Sequence, residues 1–402
     1  MRTIAAAEFY GMIKSRDGSH SPGQPCVIDI RDEEEFRRGS LPGAENIPAG
    51  RFEEDYEGCC EKLRGRGPFW LLCHTGYGSR VLAERLCLSG LDAGVIEGGW
   101  RSCLLQQLER LTAEESPEDL TARRLRAEKS LIKKYRKEIW CRFTKAVRDY
   151  RLIQEGDRVA CCISGGKDSF LLAKLLQELQ MHGPVRFDLI FLTMNPGYNE
   201  ENWKIIQNNA KILGIPLTVF ETSVFDAVAG IEKNPCYLCA RMRRGYLYNN
   251  ARQLGCNKIA LGHHYDDVIE TILMGMLYAG KIETMLPKLH SQHFEGMELI
   301  RPLYLVRESA VKAWRDYNGL HFIQCACRFT ESTASYGALK ESKRGEVKKL
   351  IAALAEKEPV IEANIFRSVE NINLRTVMAW KKDGESHSFL DDYDMQEQDR
   401  TS

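Results

Sequence analysis

Short apolar runs alternate with segments of helical spacing along most of the chain. Each run fills about four to eight positions, and in the following segment apolar residues recur every three or four positions. Such runs are typical of strands buried in a parallel sheet, and the periodic segments are typical of helices that cover it. The runs lie at 26–30, 69–73, 94–97, 159–163, 187–194, 217–221 and 258–262, and the clearest helical segments at 79–89, 169–181 and 202–213. The pattern predicts an α/β protein with two parallel sheets.

A polar segment separates the two groups of strands. Residues 112–119 are polar and acidic and contain Ser116-Pro117, which is typical of a linker. Residues 121–150 then favour one long helix, because apolar residues recur there at helical spacing: Leu131, Ile132, Tyr135, Ile139, Phe143 and Val147. The repeated strand–helix order after it predicts a doubly wound sheet. We therefore divide the chain into a first domain over 1–111, a linker and basic helix over 112–150, a second domain over 151–382 and a disordered tail over 383–402.

The predicted helix over 121–150 is strongly basic, although the whole chain has 56 basic and 56 acidic residues. Between Arg123 and Arg148 only Glu128 and Glu138 oppose the positive charges. A charge run is often only a solvated helix face, but one sign of charge along a helix is also how proteins contact nucleic-acid phosphates. The central basic residues are the predicted RNA contacts: Lys133, Lys134, Arg136 and Lys137.

The chain of 402 residues holds 14 cysteines. Its N-terminus lacks a secretory pattern, and it has no run of about 18 apolar residues that would span a membrane. We therefore expect a cytoplasmic protein with no membrane partner, in which cysteines serve metal binding or thiol chemistry rather than disulfides. Four of them lie in apolar segments and are expected to pack as small hydrophobic residues: Cys26, Cys87, Cys161 and Cys162.

A glycine-rich turn joins the strand at 159–163 to the next helix. Its sequence is Ser164-Gly165-Gly166-Lys167-Asp168-Ser169. Glycines let a ligand approach the backbone, a helix N-terminus attracts anions, and a lysine adds a positive charge, so the turn predicts a phosphate site. Its spacing is not that of the Walker loop. It resembles the PP-loop of ATP pyrophosphatases, which transfer AMP from ATP to a substrate oxygen and release pyrophosphate.

A Cys-x-x-Cys pair, Cys236 and Cys239, follows in a predicted loop, and Cys325 and Cys327 come far downstream. The pair alone is compatible with half a zinc site, a redox pair or chance. An iron–sulfur cluster also takes thiolate ligands, and three of them would leave one iron open. The spacing does not choose among these alternatives.

Several motifs around these cysteines resemble the tRNA 2-thiocytidine biosynthesis (TtcA) family within the PP-loop superfamily. The resemblance covers about residues 131–373. The motifs that carry it are Ile153 to Val159, Cys236 to Gly245, Ile259 to Asp267, Ile300-Arg-Pro302 and Asn364-Ile-Phe366. It implies a PP-loop (HUP-like) sheet domain that adenylates the C2 oxygen of cytidine 32 in tRNA, after which sulfur displaces AMP. It also implies Mg²⁺ with the ATP, and members of the family tend to form homodimers.

The resemblance also assigns residues. It implies a [4Fe–4S] cluster on Cys236, Cys239 and Cys325, with Cys327 as the alternative third ligand because this chain has Cys-x-Cys where the family usually has Cys-x-x-Cys. Asn195, Gly262 and His263 join residues 164–169 in the expected ATP site. Arg243, Asp266 and Asp267 are the expected catalytic or magnesium-linked residues. Ordinary helix-face or packing roles are the alternatives for the arginine and the histidine.

The first domain resembles the rhodanese family over about residues 2–111. The resemblance rests on Val27-Ile-Asp-Ile-Arg31, Glu35-Phe36, Leu41 to Pro48 and Gly98-Gly-Trp100. The loop Cys73-His-Thr-Gly-Tyr-Gly78 follows a buried strand and precedes a helix, a setting whose N–H groups stabilise a thiolate or persulfide. Ser40 and Gly78 depart from the usual His and Arg of the family. The adjacent Cys59 and Cys60 either relay sulfur or belong to a surface loop, and the loop is the favoured interpretation.

Both resemblances together predict an ATP-dependent tRNA sulfurtransferase. Cys73 would carry sulfur as a persulfide, supplied by a donor such as a cysteine desulfurase, and the second domain would activate the tRNA base. One alternative is ATP-dependent sulfur transfer to another tRNA base or to a small molecule. A second alternative is a non-enzymatic persulfide or iron–sulfur sensor, which would not consume ATP.

Overall fold

The computed structural model describes residues 1–14, 25–114, 116–222, 224, 235–323, 343–382, 384–391 and 393. The chain forms two compact units. The first comprises residues 1–265 and 286–340, and the second comprises residues 266–285 and 341–402. None of the helices in these ranges is long and apolar enough to cross a membrane.

The N-terminal part of the first unit is a five-stranded parallel sheet with strand order β1-β5-β4-β2-β3. Its central strand has the sequence Phe-Trp-Leu-Leu and is buried at all four positions, as expected of a strand covered by helices on both faces. The elements are β1 (Arg2–Ile4), α1 (Ala6–Lys14), β2 (Cys26–Asp29), α2 (Glu33–Arg38), β3 (Glu45–Asn46), α3 (Ala49–Glu54), α4 (Tyr56–Leu63), β4 (Phe69–Leu72), α5 (Tyr77–Leu88), β5 (Ala93–Ile96) and α6 (Gly99–Glu114).

A broken helical segment connects the two sheets. It consists of α7 (Pro117–Ile132), a π-helix (Arg136–Trp140) and α8 (Cys141–Asp149). Ser116 begins α7 with a capping box, since its hydroxyl accepts the Asp119 N–H while the Asp119 carboxylate accepts the Ser116 N–H. The structure therefore places helix over most of the segment interpreted as a linker, and it replaces the single long helix with three pieces.

The second sheet of the first unit has strand order β10-β11-β9-β6-β7-β8, parallel except for β10. The predicted doubly wound order is confirmed, and the predicted strands agree with those observed to within a few residues. The elements are β6 (Arg158–Ile163), α9 (Lys167–His182), β7 (Asp188–Asn195), α10 (Glu200–Leu213), β8 (Leu217–Glu221), α11 (Pro235–Gln253), β9 (Lys258–Ala260), β10 (Lys288–His290), β11 (Glu298–Ile300) and α13 (Glu308–Tyr317).

The second unit holds most of α12 (Tyr265–Ala279) together with C-terminal elements. These are α14 (Lys343–Lys357), α15 (Ile361–Ser368), a 3₁₀ turn (Leu374–Thr376), β12 (Ala379–Lys382) and β13 (Glu385–Ser388). The last two strands pair as an antiparallel hairpin. Part of the segment predicted to be a disordered tail from residue 383 is therefore a β-strand.

Candidate functional sites

Cys73 lies directly after β4, in a loop that surrounds its sulfur with hydrogen-bond donors. The Cys73 Sγ accepts the backbone N–H of Gly76 at 3.1 Å and that of Ser79 at 3.3 Å. The Ser79 hydroxyl lies 3.3 Å from the same sulfur. Gly76 adopts φ +86° as the N-cap of α5, so the loop turns tightly into the helix N-terminus. Such a cradle stabilises negative charge on a thiolate or on a persulfide.

Gly99 allows the loop to dock against the start of α6. A Cβ at Gly99 would lie 2.4 Å from the Cys73 carbonyl oxygen, and the residue has φ +61°. This close approach lets the Trp100 N–H donate to the Cys73 carbonyl at 2.8 Å and the Arg101 N–H donate to the His74 carbonyl at 3.1 Å. The Gly98-Gly-Trp100 motif therefore fixes the backbone on which the cysteine sits.

A buried ion pair lies next to Ser40, the residue that stands where the rhodanese family commonly has a histidine. The Asp29 side chain is fully buried, and its Oδ2 lies 2.6 Å from Arg31 Nη2. Ser40 donates its hydroxyl to the same carboxylate oxygen at 2.6 Å. Arg31 also donates to the Gly39 carbonyl and lies 4.6 Å from the centre of the Trp100 ring. Ser40 thus closes a hydrogen-bonded network beside the Trp100 that follows the glycine pair.

His74 provides a pH prediction. Burial, Arg31 and Arg101 lower its pKa from 6.5 to about 4. Between these two pH values the unfolded chain binds a proton that the folded chain does not, so the folded state loses stability as pH falls from about 6.5 towards 4. We expect the wild-type denaturation midpoint to decrease between pH 7 and pH 5, and His74→Gln to reduce that decrease. Urea titrations at both pH values measure the midpoints. If the midpoint falls equally in wild type and His74→Gln, His74 is not the cause of the pH dependence.

Three buried cysteines, one on α6 and two on β6, are poor nucleophiles. Burial raises the pKa of Cys103 and of Cys162 to about 12, and it raises the pKa of Cys161 well above its ordinary value. Cys59 and Cys60 are also buried, within α4 of the first domain core. The prediction that this pair belongs to a surface loop is wrong, because α4 turns both positions towards the core.

The glycine-rich turn forms the predicted loop between β6 and the N-terminus of α9. Ser169 lies inside it, since its hydroxyl accepts the Ser164 N–H at 3.2 Å and donates to the Gly166 carbonyl at 2.9 Å. Gly165 has φ +88°, and a Cβ there would lie within 2.6–2.7 Å of Ile323 and Ile206 atoms. Helix α9 begins at Lys167 with no side-chain cap at Gly166, and the first N–H groups of a helix have no partner within the helix, as an anion site requires.

Three more predicted ATP-site residues lie near this turn or at the same end of the sheet. A Cβ on Gly262 would lie 3.1 Å from the Asp168 and Ser169 backbone. His263 follows Gly262 directly, and the next residue, His264, has its Nε2 3.7 Å from Asp168 Oδ1. Asn195 ends β7, the neighbour of β6, and its side chain accepts the N–H groups of Gly197 and Tyr198. The carboxyl ends of three adjacent strands, β9, β6 and β7, thus surround the turn.

Sequence reasoning missed Glu308 at this turn. The Lys167 ammonium lies 3.0 Å from Asp168 and 3.1 Å from Glu308 at the start of α13. Glu308 also pairs with Lys312 at 3.3 Å. Only the fold brings residue 308 to residue 167, so the local motif contains no signal for this contact.

The structure describes the predicted cluster cysteines only in part, and it places the predicted catalytic residues on two helices. Cys236 and Cys239 fall within α11, not in the predicted loop, but their side chains lie outside the described residues, as do Cys325 and Cys327 entirely. Arg243 is half-buried on α11. Asp266 and Asp267 lie in the first turn of α12 within the second compact unit, where Arg344 pairs with Asp267 at 3.0 Å.

The four predicted RNA contacts lie at the break between α7 and α8. Lys133, Lys134, Arg136 and Lys137 are all exposed there. The Lys134 ammonium lies 3.7 Å from the centre of the Tyr317 ring, and the Tyr135 hydroxyl donates to the Ala313 carbonyl at 2.8 Å. These contacts with α13 hold the basic bend against the domain that carries the glycine-rich turn.

Family models match both domains of the chain. The PP-loop domain family matches residues 136–327, and the rhodanese-like domain family matches residues 6–104. A tRNA-cytidine(32) 2-sulfurtransferase from Alkalilimnicola ehrlichii is 37% identical over 233 residues, which are 56% of this chain and 70% of that protein. The enzyme of the same name from Syntrophotalea carbinolica is 37% identical over 239 residues, 58% of this chain and 88% of that protein.

Among solved structures, the chain is similar to the U34-tRNA thiolase NcsA from Methanococcus maripaludis with its [4Fe–4S] cluster. The identity is 24%, the TM-score is 0.44, and the match covers 58% of this chain and 78% of that one. The sequence matches are the stronger result, since they extend over most of the length of the relatives. The chain belongs to the tRNA-cytidine(32) 2-sulfurtransferase family and carries a rhodanese-like domain ahead of its PP-loop domain.

Proposed function

We propose that the protein replaces the C2 oxygen of cytidine 32 in tRNA with sulfur, using ATP and a persulfide on Cys73. Family membership supports the reaction and its substrate class. The observation that supports the persulfide most directly is the ring of donors around Cys73 Sγ. Both the Cys73 loop and the PP-loop lie in one compact unit of the chain.

The first half-reaction is sulfur loading on Cys73. Its thiolate attacks the outer sulfur of a donor, the bond between that sulfur and the donor breaks, and the donor group leaves with the electron pair. The N–H groups of Gly76 and Ser79 and the Ser79 hydroxyl stabilise the charge before and after the transfer. The donor is proposed to be a persulfide-forming enzyme such as a cysteine desulfurase.

The second half-reaction is activation of the base by ATP. The backbone of residues 164–169 and the ammonium of Lys167 would hold the phosphates, with Asn195, Gly262 and His263 around the nucleotide. The cytidine C2 oxygen attacks the α-phosphorus and pyrophosphate leaves. The terminal sulfur of a persulfide then attacks C2 and AMP leaves, and a cellular thiol reduces the resulting S–S bond, so that the sulfur stays on C2 and a disulfide forms. Arg243, Asp266 and Asp267 are proposed to serve this step, the two carboxylates through Mg²⁺.

The chain also supplies donors suited to an iron–sulfur cluster. Cys236, Cys239 and Cys325, or Cys327 in place of Cys325, are proposed to hold a [4Fe–4S] cluster, because soft thiolates are its usual ligands. Three thiolates would leave one iron free to carry a sulfur ligand. Iron and sulfide analysis of protein purified without oxygen, with each cysteine replaced in turn by alanine, tests the assignment.

The basic bend between α7 and α8 is proposed to bind the tRNA backbone. Replacing both Lys133 and Lys134 with Glu should weaken tRNA binding by at least about tenfold at low salt, because each phosphate contact adds to affinity through counterion release. It should also make log Kd less steeply dependent on log salt concentration. Filter binding across a salt series measures both quantities.

The control for this pair replaces both Lys62 and Arg64 with Glu, an equal change of charge at the C-terminal end of α4 in the rhodanese-like domain. It is expected to leave tRNA affinity unchanged to within about twofold, as for a charge outside the contact surface. Equal losses in both proteins would show that only overall charge matters, and would remove the bend from the binding surface.

A reconstituted assay tests the whole proposal. Anaerobically purified protein is incubated with ATP, Mg²⁺, a sulfur donor, a thiol reductant and tRNA from cells that lack the modification. The expected products are 2-thiocytidine in the tRNA and one pyrophosphate for each sulfur incorporated. Thiolation of a different nucleoside would identify another base as the substrate. If the protein consumed no ATP, the result would favour the non-enzymatic sensor. Sedimentation of the same preparation tests the homodimer that we also propose.

A further inference from the structure

A small cavity lies where the Cys73 loop meets the PP-loop domain. Its volume is about 40 Å³, enough for one or two water-sized groups. His74, Trp100, Arg101 and Leu104 of the rhodanese-like domain form one side. The other side is formed by Asn202, Ile205, Phe322 and Ile323 of the PP-loop domain. The cavity therefore touches the residue after Cys73 on one side and the PP-loop domain on the other.

Asn202 is the unusual residue of this cavity. Only 1% of its surface is exposed, yet neither its side-chain nitrogen nor its oxygen has a hydrogen-bond partner in the part of the chain that the structure describes. A buried amide without partners costs about 1–3 kcal/mol, so a native protein rarely keeps one unless something else satisfies it. Asn202 lines the cavity, so a group held in the cavity would be within its reach.

The cavity walls suit a small anion. Arg101 is paired with Glu201, and the lowered pKa of His74 keeps its imidazole neutral near pH 7, so the walls carry little net charge and a polar group there depends on hydrogen bonds. The Asn202 side chain can donate two hydrogen bonds, and it lies near the N-terminus of α10, where the helix dipole favours negative charge. Trp100, Leu104 and Ile205 cover the remainder with apolar surface.

The two domains are clamped around this cavity. Glu201, the neighbour of Asn202, accepts hydrogen bonds from Arg101 Nε at 2.9 Å and from the Ser102 hydroxyl at 2.8 Å. A second pair, Lys312 with Glu34 at 3.3 Å, joins the same two domains. These ion pairs link the rhodanese-like domain to the PP-loop domain. They therefore fix one wall of the cavity relative to the other, which is a condition for a defined binding position.

We infer that this cavity is a relay position for the outer sulfur of the Cys73 persulfide as it leaves the rhodanese-like domain. The inference rests on the proposed function and adds a site to it. In the step, an acceptor thiolate attacks the outer sulfur, the bond between the two persulfide sulfurs breaks, and Cys73 leaves as a thiolate with the electron pair. No external oxidant or reductant takes part. The side-chain N–H groups of Asn202 stabilise the negative charge that is shared between the sulfurs.

Asn202→Leu tests the relay, because leucine keeps the branched shape of asparagine, in a bulkier form, and replaces both polar atoms with methyl groups. An amide with only a structural role and no partner can be replaced in this way with little loss of stability, or with a gain. The inference instead expects normal stability and normal loading of Cys73 from [³⁵S]thiosulfate, measured as sulfite release. It expects transfer of label from peptides of residues 1–150 to peptides of residues 151–402 to slow by about tenfold, the effect of one hydrogen bond to a charged group.

Asn209→Leu is the matched control, since Asn209 is another buried asparagine of the same helix and does not line the cavity. It loses a hydrogen bond to the His321 carbonyl, so it should be less stable but should transfer label at the wild-type rate. Equal transfer rates in wild type and Asn202→Leu would overturn the inference and leave a structural water in the cavity. Wild-type protein that loads Cys73 but passes no label onwards would also overturn it.

The same experiment separates the inference from the proposed function. If tRNA is not thiolated but ³⁵S is transferred between the domains at a rate that depends on Asn202, the relay is supported and the tRNA reaction is contradicted. If 2-thiocytidine forms equally fast in wild type and Asn202→Leu, the reaction stands and the relay falls.

Discussion

Cys73→Ser is expected to abolish sulfur loading, with sulfite release from thiosulfate falling by about three orders of magnitude or more, as when the nucleophile of a covalent mechanism is removed. The serine hydroxyl fits the same ring of donors around the Cys73 position, but it forms no persulfide. The rate of tRNA thiolation with thiosulfate as the sulfur donor should decrease together with sulfur loading. Sulfite release and mass analysis of the labelled peptide measure the two effects.

Cys87→Ser is the control for this substitution. Cys87 is a free, half-buried cysteine near the C-terminal end of α5, whereas the Cys73 loop precedes the N-terminus of the same helix. Its replacement should leave loading intact. Excess sulfide should restore tRNA thiolation in Cys73→Ser, because the PP-loop domain is unchanged. Loading at the wild-type rate in Cys73→Ser would place the persulfide on another cysteine.

The sequence predicted the sheets well because their strands are defined by local composition. Runs such as Phe69–Leu72 and Val159–Ile163 are buried along their length, and a strand that helices cover on both faces needs an unbroken apolar run. The Cys73 loop and the glycine-rich turn were predictable for a similar reason, since all the groups that build each of them lie within about seven consecutive residues.

What the sequence did not predict depends on contacts between distant residues. Glu308 reaches Lys167 from more than a hundred positions away in the sequence. The break in the basic helix is also of this kind, since Tyr135 bonds to the Ala313 carbonyl at the bend. The apolar spacing through 121–150 is continuous and gives no local sign of a break. The cavity at Asn202 arises only when the two domains meet.

Lys167→Met should reduce pyrophosphate release by about 10²–10³-fold, the usual effect of removing a charged group that stabilises a transferring phosphate. Lys167 is 20% exposed and pairs with Asp168 and Glu308, two carboxylates that would repel the triphosphate if the ammonium were absent. Because these pairs are partly solvated, the folded state should lose little stability. Pyrophosphate release and thermal unfolding of the same preparation separate the two effects.

Lys174→Met on the same helix should show the opposite profile. Lys174 is 1% exposed, and its ammonium bonds Glu128 on α7, Gln177 and the Leu213 carbonyl instead of the glycine-rich turn. Removing it leaves Glu128 without its buried partner, which should lower the unfolding midpoint clearly. The fraction that remains folded should still release pyrophosphate at the wild-type rate. A large catalytic loss in both proteins would mean that the charge of α9 as a whole, and not the ammonium at the glycine-rich turn, supports the reaction with ATP.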